Sequence, residues 1–177
     1  MKAQSDWDIT LRPAINFPTE GIADSKLSMG FGLGFGGAFS YKFTPQFSAV
    51  IGWGWNGFAT DESFAGPKVD FTETGYSLGL RFTHPFILDS AYTLFIGVGA
   101  VAGHIEAENS EGLIIADSKF GMGWQIESGM NFGVGRHFVL SPGINYHALS
   151  RGITIDNTTT IVNFNYFSVG VGLSWAF

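Results

Sequence analysis

Between Leu27 and Phe43 two kinds of side chain alternate. Leu27, Met29, Phe31, Leu33, Phe35, Phe39, Tyr41 and Phe43 are bulky, whereas Ser28, Gly30, Gly32, Gly34, Gly36, Ala38, Ser40 and Lys42 are small apart from the lysine. Successive side chains of a β-strand point to opposite faces of the sheet, so this segment is a strand with one crowded face and one nearly bare face. The same period opens the chain: Trp7, Ile9, Leu11, Pro13, Ile15 and Phe17 alternate with Asp8, Thr10, Arg12, Ala14 and Asn16. Similar runs near residues 47–57, 72–84, 91–104, 119–134, 138–149 and 161–177 predict eight strands of membrane-crossing length.

The outward face decides what surrounds such a sheet. If the bulky face were a core, water would meet the Gly/Ser face of the second strand, which carries too little charge for a solvated surface. Charged residues are only 14% of the chain and hydrophobic ones 45%, against roughly a quarter charged in an ordinary soluble domain. An eight-stranded barrel is only just wide enough inside for side chains, so small residues fit inward and Leu, Phe and Trp fit toward lipid. The expected fold is all-β: a transmembrane eight-stranded antiparallel up-and-down β-barrel, one domain over residues 1–177. No apolar run approaches the roughly 18 residues of a membrane helix.

Connections alternate in length. Residues 44–46, 85–90 and 135–137 read as short turns, and 18–26, 59–70, 106–118 and 150–160 as longer polar loops. Short periplasmic turns and longer extracellular loops place both termini in the periplasm. Aromatic residues fall near the expected interfaces, with Trp7, Tyr41, Phe43, Phe47, Trp175 and Phe177 low, and Phe17, Trp53, Trp55, Tyr76, Trp124, Tyr146 and Phe167 high. Met1-Lys2 precede Ala3-Gln4-Ser5, which reads as a mature start, so export with loss of a signal peptide is expected.

The chain resembles the small outer-membrane β-barrel superfamily, the OmpA-, OmpX- and OmpW-like barrel domains. Its most specific element is the C-terminal strand, where Phe167, Val169, Val171, Leu173, Trp175 and Phe177 share one face. This looks like the terminal-aromatic signal that the barrel-assembly machinery recognises in that superfamily. The resemblance implies a bacterial outer membrane, with its lipids and lipopolysaccharide as partners. It implies no particular activity.

Several motifs that spell chemistry fall inside the alternation. Gly32 to Gly37 matches G-x-G-x-x-G, but no helix follows to receive a phosphate. Gly75 to Gly79 matches G-x-S-x-G, with Ser77 in mid-strand rather than on a sharp elbow. Cysteine is absent, the net charge of −6 argues against a nucleic-acid partner, and His84, His104, His137 and His147 are scattered, so no cofactor, metal or catalytic residue is assigned. His147 and Ser150 suggest comparison with outer-membrane lipid A deacylases, which place a His and a Ser two residues apart on the lipid side. Here the spacing is three, which puts them on opposite faces of a regular strand.

Two inward groups stand out. Arg12, Glu73, Arg81, Gln125 and Glu127 are expected to form a polar network in the lumen, since unpaired charge there is costly. Near the outer ends of the strands polar residues turn out and apolar ones turn in, so Phe58, Phe71, Ile105, Leu149, Phe164 and Tyr166 are expected to line an apolar mouth. The leading expectation is a structural or surface-interaction barrel with a largely plugged lumen. A passive channel or conduit for a small apolar molecule is the alternative, and a lipid A-modifying enzyme the third reading.

Overall fold

The computed structural model describes residues 6–19, 30–60, 62–63, 66–85, 92–155 and 158–177. Its strands are β1 (Trp7–Pro18), β2 (Gly32–Lys42), β3 (Phe47–Phe58), β4 (Glu62–Ser63), β5 (Gly66–Pro67), β6 (Asp70–Pro85), β7 (Tyr92–Glu108), β8 (Ile114–Asp117), β9 (Gly121–Val134), β10 (Phe138–Ile155) and β11 (Thr158–Ala176). The order β6-β3-β2-β1-β11-β10-β9-β7 closes through a β6–β7 ladder, so eight antiparallel strands form a barrel. The pairings Asp8↔Ala176 and Trp7↔Tyr41 put the start of β1 and the end of β11 beside the β2–β3 turn. The described ends of the chain therefore share the short-turn end of the barrel. The β9–β10 turn at that end uses Gly135 in the left-handed region (φ 81°), where a glycine has no Cβ to clash.

Alternation sets the two surfaces. Outside stand Leu33, Ile51, Leu78, Val98, Ile144 and Val169, all exposed; inside, Thr10, Asn16, Ser40, Ser48, Ser168 and Ser174 are buried. Water would meet an apolar belt around the whole barrel, which is a stable surface only in lipid. Aromatic contacts mark its borders, with Trp7 and Tyr41 at 4.2 Å near one end and Trp124, Tyr146 and Phe167 in series near the other, at 5.4 and 4.9 Å between ring centroids. Small interior residues are required where neighbours come close. A Cβ at Gly34 would stand 2.5 Å from Asn56 Oδ1 and break the inward Asn16–Asn56 hydrogen bond.

The sheet extends further than the alternation had suggested. Of residues 150–160, expected as a loop, 150–155 and 158–160 continue β10 and β11 to the pairs Thr154↔Thr159 and Ile155↔Thr158. Ile153 and Val162 are inward and fully buried, which gives this extension a core of its own. The 106–118 stretch likewise folds back as β8, paired to β7 through Glu106↔Asp117. Of the expected second strand, Leu27, Ser28 and Met29 lie outside the described residues, as do Met1 to Ser5, most of the first long loop and residues 86–91.

Placing a charge on the belt tests which face meets lipid. Val98→Arg, midway along β7 on the exposed face, is expected to cost about 2–4 kcal/mol of folding free energy in phospholipid vesicles, measured by denaturant unfolding.

Candidate functional site

The lumen carries its chemistry in layers. At mid-barrel β1, β6 and β9 direct Arg12, Arg81 and Glu127 to one point. Arg81 Nε donates to Glu127 Oε1 at 2.9 Å and its Nη2 lies 2.7 Å from the same oxygen, while Arg12 Nη1 donates to Oε2 at 3.3 Å. The Arg81 guanidinium also rests on the Phe95 ring, 4.8 Å from its centroid. A Cβ at Gly97 would strike the Glu127 carboxylate, so the glycine makes room for the acid.

Glu73 belongs to a second, higher layer. Tyr166 OH donates to Glu73 Oε2 at 2.7 Å, and His147 Nε2 lies 2.8 Å from Oε1, with its ring stacked on Tyr166 at 4.8 Å. The His147 contact has ion-pair distance but not hydrogen-bond alignment, so its attraction depends on the charge of the ring. Glu73 and His147 are both buried. Between the two layers is a cavity of about 170 Å³, bordered by Arg12, Glu127, Gln125, Asn56, Glu73 and His147. Gly34, Gly36, Gly52 and Gly54 of β2 and β3 are also in its lining. The five polar residues expected as one network are therefore divided: Arg12, Arg81 and Glu127 meet, Glu73 is held apart from them, and Gln125 lines the space between.

Above this lies the apolar cluster. Phe58, Phe71, Ile105, Leu149, Phe164 and Tyr166 come together, joined by Val69, Ala107, Ala116, Ile153 and Val162. Phe58 meets Phe164 edge-on at 5.3 Å and tilts against Tyr166 at 5.2 Å. Phe58 and Leu149 are 1% exposed and Phe71, Ile105 and Phe164 0%, so these side chains fill the space they enclose. Tyr166 forms the floor, its ring apolar toward Phe58 and its hydroxyl committed to Glu73 below. Ile153 and Val162 share the inward parity of Leu149 and Phe164, the signal by which alternation would have found them.

The other candidates separate. His147 is buried inside while Ser150 is exposed outside and donates to Asn163 Oδ1 at 2.7 Å, so the two form no catalytic pair. Ser77 lines the lumen in mid-strand, and Gly32 to Gly37 lie within β2. His104, by contrast, gains partners that alternation alone did not connect with it. Outside the barrel its Nδ1 stands 2.9 Å from Asp117 Oδ1 and 3.9 Å from Glu106 Oε1, and its ring stacks on Phe120 at 4.5 Å. Along the C-terminal strand Phe167, Val169, Val171, Leu173, Trp175 and Phe177 are all exposed on the outer face.

No protein-family description and no curated protein sequence matches the chain. Its fold is nevertheless that of known membrane barrels. It is similar to Neisserial surface protein A (NspA) at TM-score 0.72 and 14% identity, over 99% of this chain and 100% of that one. It is similar to the outer membrane protein OprG from Pseudomonas aeruginosa at TM-score 0.67 and 13% identity, over 97% of each chain. The outer membrane protein AlkL, in lipid bilayers, gives 0.64 and 15%, over 98% of this chain and 90% of that one. The chain thus has the fold of the small eight-stranded outer-membrane barrels.

Both packed layers should contribute to stability. Glu127→Ala leaves two guanidinium groups facing each other and is expected to cost about 3 kcal/mol; Phe58→Ala opens a hole in the upper cluster and is expected to cost about 3–5 kcal/mol. Urea unfolding of the refolded variants in lipid measures both.

Proposed function

We propose that the protein is an integral barrel of a bacterial outer membrane, with its termini periplasmic and its rim raised beyond the outer leaflet, and that its role is structural or in surface interaction rather than permeation. The observation that carries this reading is the apolar cluster at the mouth, whose central side chains are 0–2% exposed. A solute entering from outside would have to part Phe58, Phe71 and Phe164, and then pass the Arg12–Glu127–Arg81 cluster. Separating the first exposes packed aromatic surface, and separating the second breaks low-dielectric ion pairs. Two unlike barriers in series oppose ions and apolar molecules alike.

Partners follow from the exterior. Outer-membrane lipids and lipopolysaccharide cover the belt, and the exposed aliphatic and aromatic face of β11 is the surface offered to the barrel-assembly machinery. A conduit for small apolar molecules would need an entrance with room for a guest, and the packing of Phe58 against Phe164 and Tyr166 fills that position. Catalysis on lipid A is disfavoured by the separation of His147 and Ser150 across the barrel wall.

Single-channel recording in planar bilayers tests the closed lumen. The wild-type barrel is expected to give no sustained open level, and Glu127→Ala none either, because the apolar cluster still spans the mouth. A steady ohmic level in the wild type would overturn the reading. Saturable uptake of an apolar probe into the lumen would favour the conduit.

A further inference from the structure

Just above the apolar belt, the outer face where β8 folds back on β7 carries acid around a single imidazole. His104 lies two residues beyond Ala102, which pairs with Tyr76 and Met122, both exposed on the belt. Glu106 follows on the same outward face, and the register of β8 sets Asp117 directly opposite it. Asp70 and Glu108 pair two residues further on. Glu108 accepts from Thr72 Oγ1, but among the described residues the only ion pairs of Glu106 and Asp117 are those to His104.

The three side chains converge. His104 Nδ1 stands 2.9 Å from Asp117 Oδ1 and 3.9 Å from Glu106 Oε1, and all three atoms lie within 4.8 Å of one another. Zinc holds imidazole nitrogen and carboxylate oxygen at about 2.0–2.2 Å, which places tetrahedral ligand atoms roughly 3.3 Å apart, so modest rotation of the two carboxylates brings this set to bonding distance. The frame that carries them is fixed. Ile105, between His104 and Glu106, exchanges hydrogen bonds with Ser118, next to Asp117: its N–H donates to Ser118 Oγ and its carbonyl accepts from the Ser118 N–H, both at 2.8 Å. The imidazole is held as well, stacked on Phe120 at 4.5 Å. A nitrogen among the donors decides which ion fits, because calcium and magnesium take oxygen, whereas imidazole favours first-row transition ions.

We propose that His104 Nδ1, Glu106 and Asp117 bind a divalent transition-metal ion of the zinc type. Two carboxylates and a neutral imidazole match its charge and its preferred donors. The Nδ1 lone pair takes the metal, so the ring proton resides on Nε2, and the contact with Asp117 Oδ1 gives way to a shared ion. Three protein ligands leave a fourth position for water. The ion fastens β8, a strand of four residues, to the long β7 beside it.

Zinc chloride is the probe. Titrated calorimetrically into the refolded barrel in a non-ionic detergent, after chelator treatment, it is expected to bind at one ion per barrel and to stay bound in magnesium at about a hundredfold excess. His104→Gln and Asp117→Asn, both on the outer surface, should each weaken binding at least about tenfold, while Glu111→Gln, at the exposed hairpin tip, should leave it unchanged. Crystals grown with zinc should show an anomalous peak at the zinc edge touching all three side chains, a result that needs no variant. Equal affinity in His104→Gln, an equal loss in Glu111→Gln, displacement by that magnesium, or no peak at these side chains would overturn the proposal.

Discussion

In lipid every backbone N–H and C=O must find its partner within the protein, and that demand shapes the rest of this structure. Strands satisfy it only when the last pairs with the first, here through Asp8↔Ala176 to Pro18↔Tyr166. Closure with eight strands then fixes a lumen too narrow for two layers of large side chains. Glycine, serine and alanine on the inward face are a consequence of that width, and the bulky outward face is a consequence of the solvent.

The few large inward residues are therefore the ones to explain. They occur at two levels, and each level solves a different problem. At mid-membrane, Arg12, Arg81 and Glu127 bring charge into a region of poor solvation, tolerable because they meet at 2.7–3.3 Å. Beyond the belt the outside becomes polar, with Thr74, Asn163 and Asn165 facing out, and the inside becomes apolar. The rim beyond the belt is thus packed in the opposite sense to the barrel below it. Glu73, His147 and Tyr166 stand where the two regimes join, with Tyr166 belonging to both.

Much of this was legible in the chain because period two survives in every long strand. The inward parity of Arg12, Phe58, Phe71, Glu127 and Phe164 follows from counting alone. What counting cannot give is height, since strand register and tilt decide which inward residues share a level. Glu73 shares its inward parity with Arg81, eight residues below it on the same strand, although it pairs with Tyr166 and His147 from β11 and β10. Residues 150–160 read as a loop because Ser150, Gly152 and Asn157 are turn formers; burial of Ile153 and Val162 overrides that local preference. The His104, Glu106 and Asp117 contact depends on β8 folding back on β7, a pairing with no strong signal in a segment of only four residues.

The proposed barrel turns its bulky face to lipid and is closed at its mouth by packed aromatics. Methyl and aromatic NMR in lipid nanodiscs, with a lipid-dissolved and then a water-soluble paramagnetic agent, tests it most directly. Strong broadening of Leu33, Val98 and Leu173 by the lipid-dissolved agent is expected, with protection of Phe58, Phe71 and Phe164 from both. Broadening of those three phenylalanines by the water-soluble agent would contradict a closed mouth, and protection of Val98 from the lipid-dissolved agent would contradict the orientation of the wall.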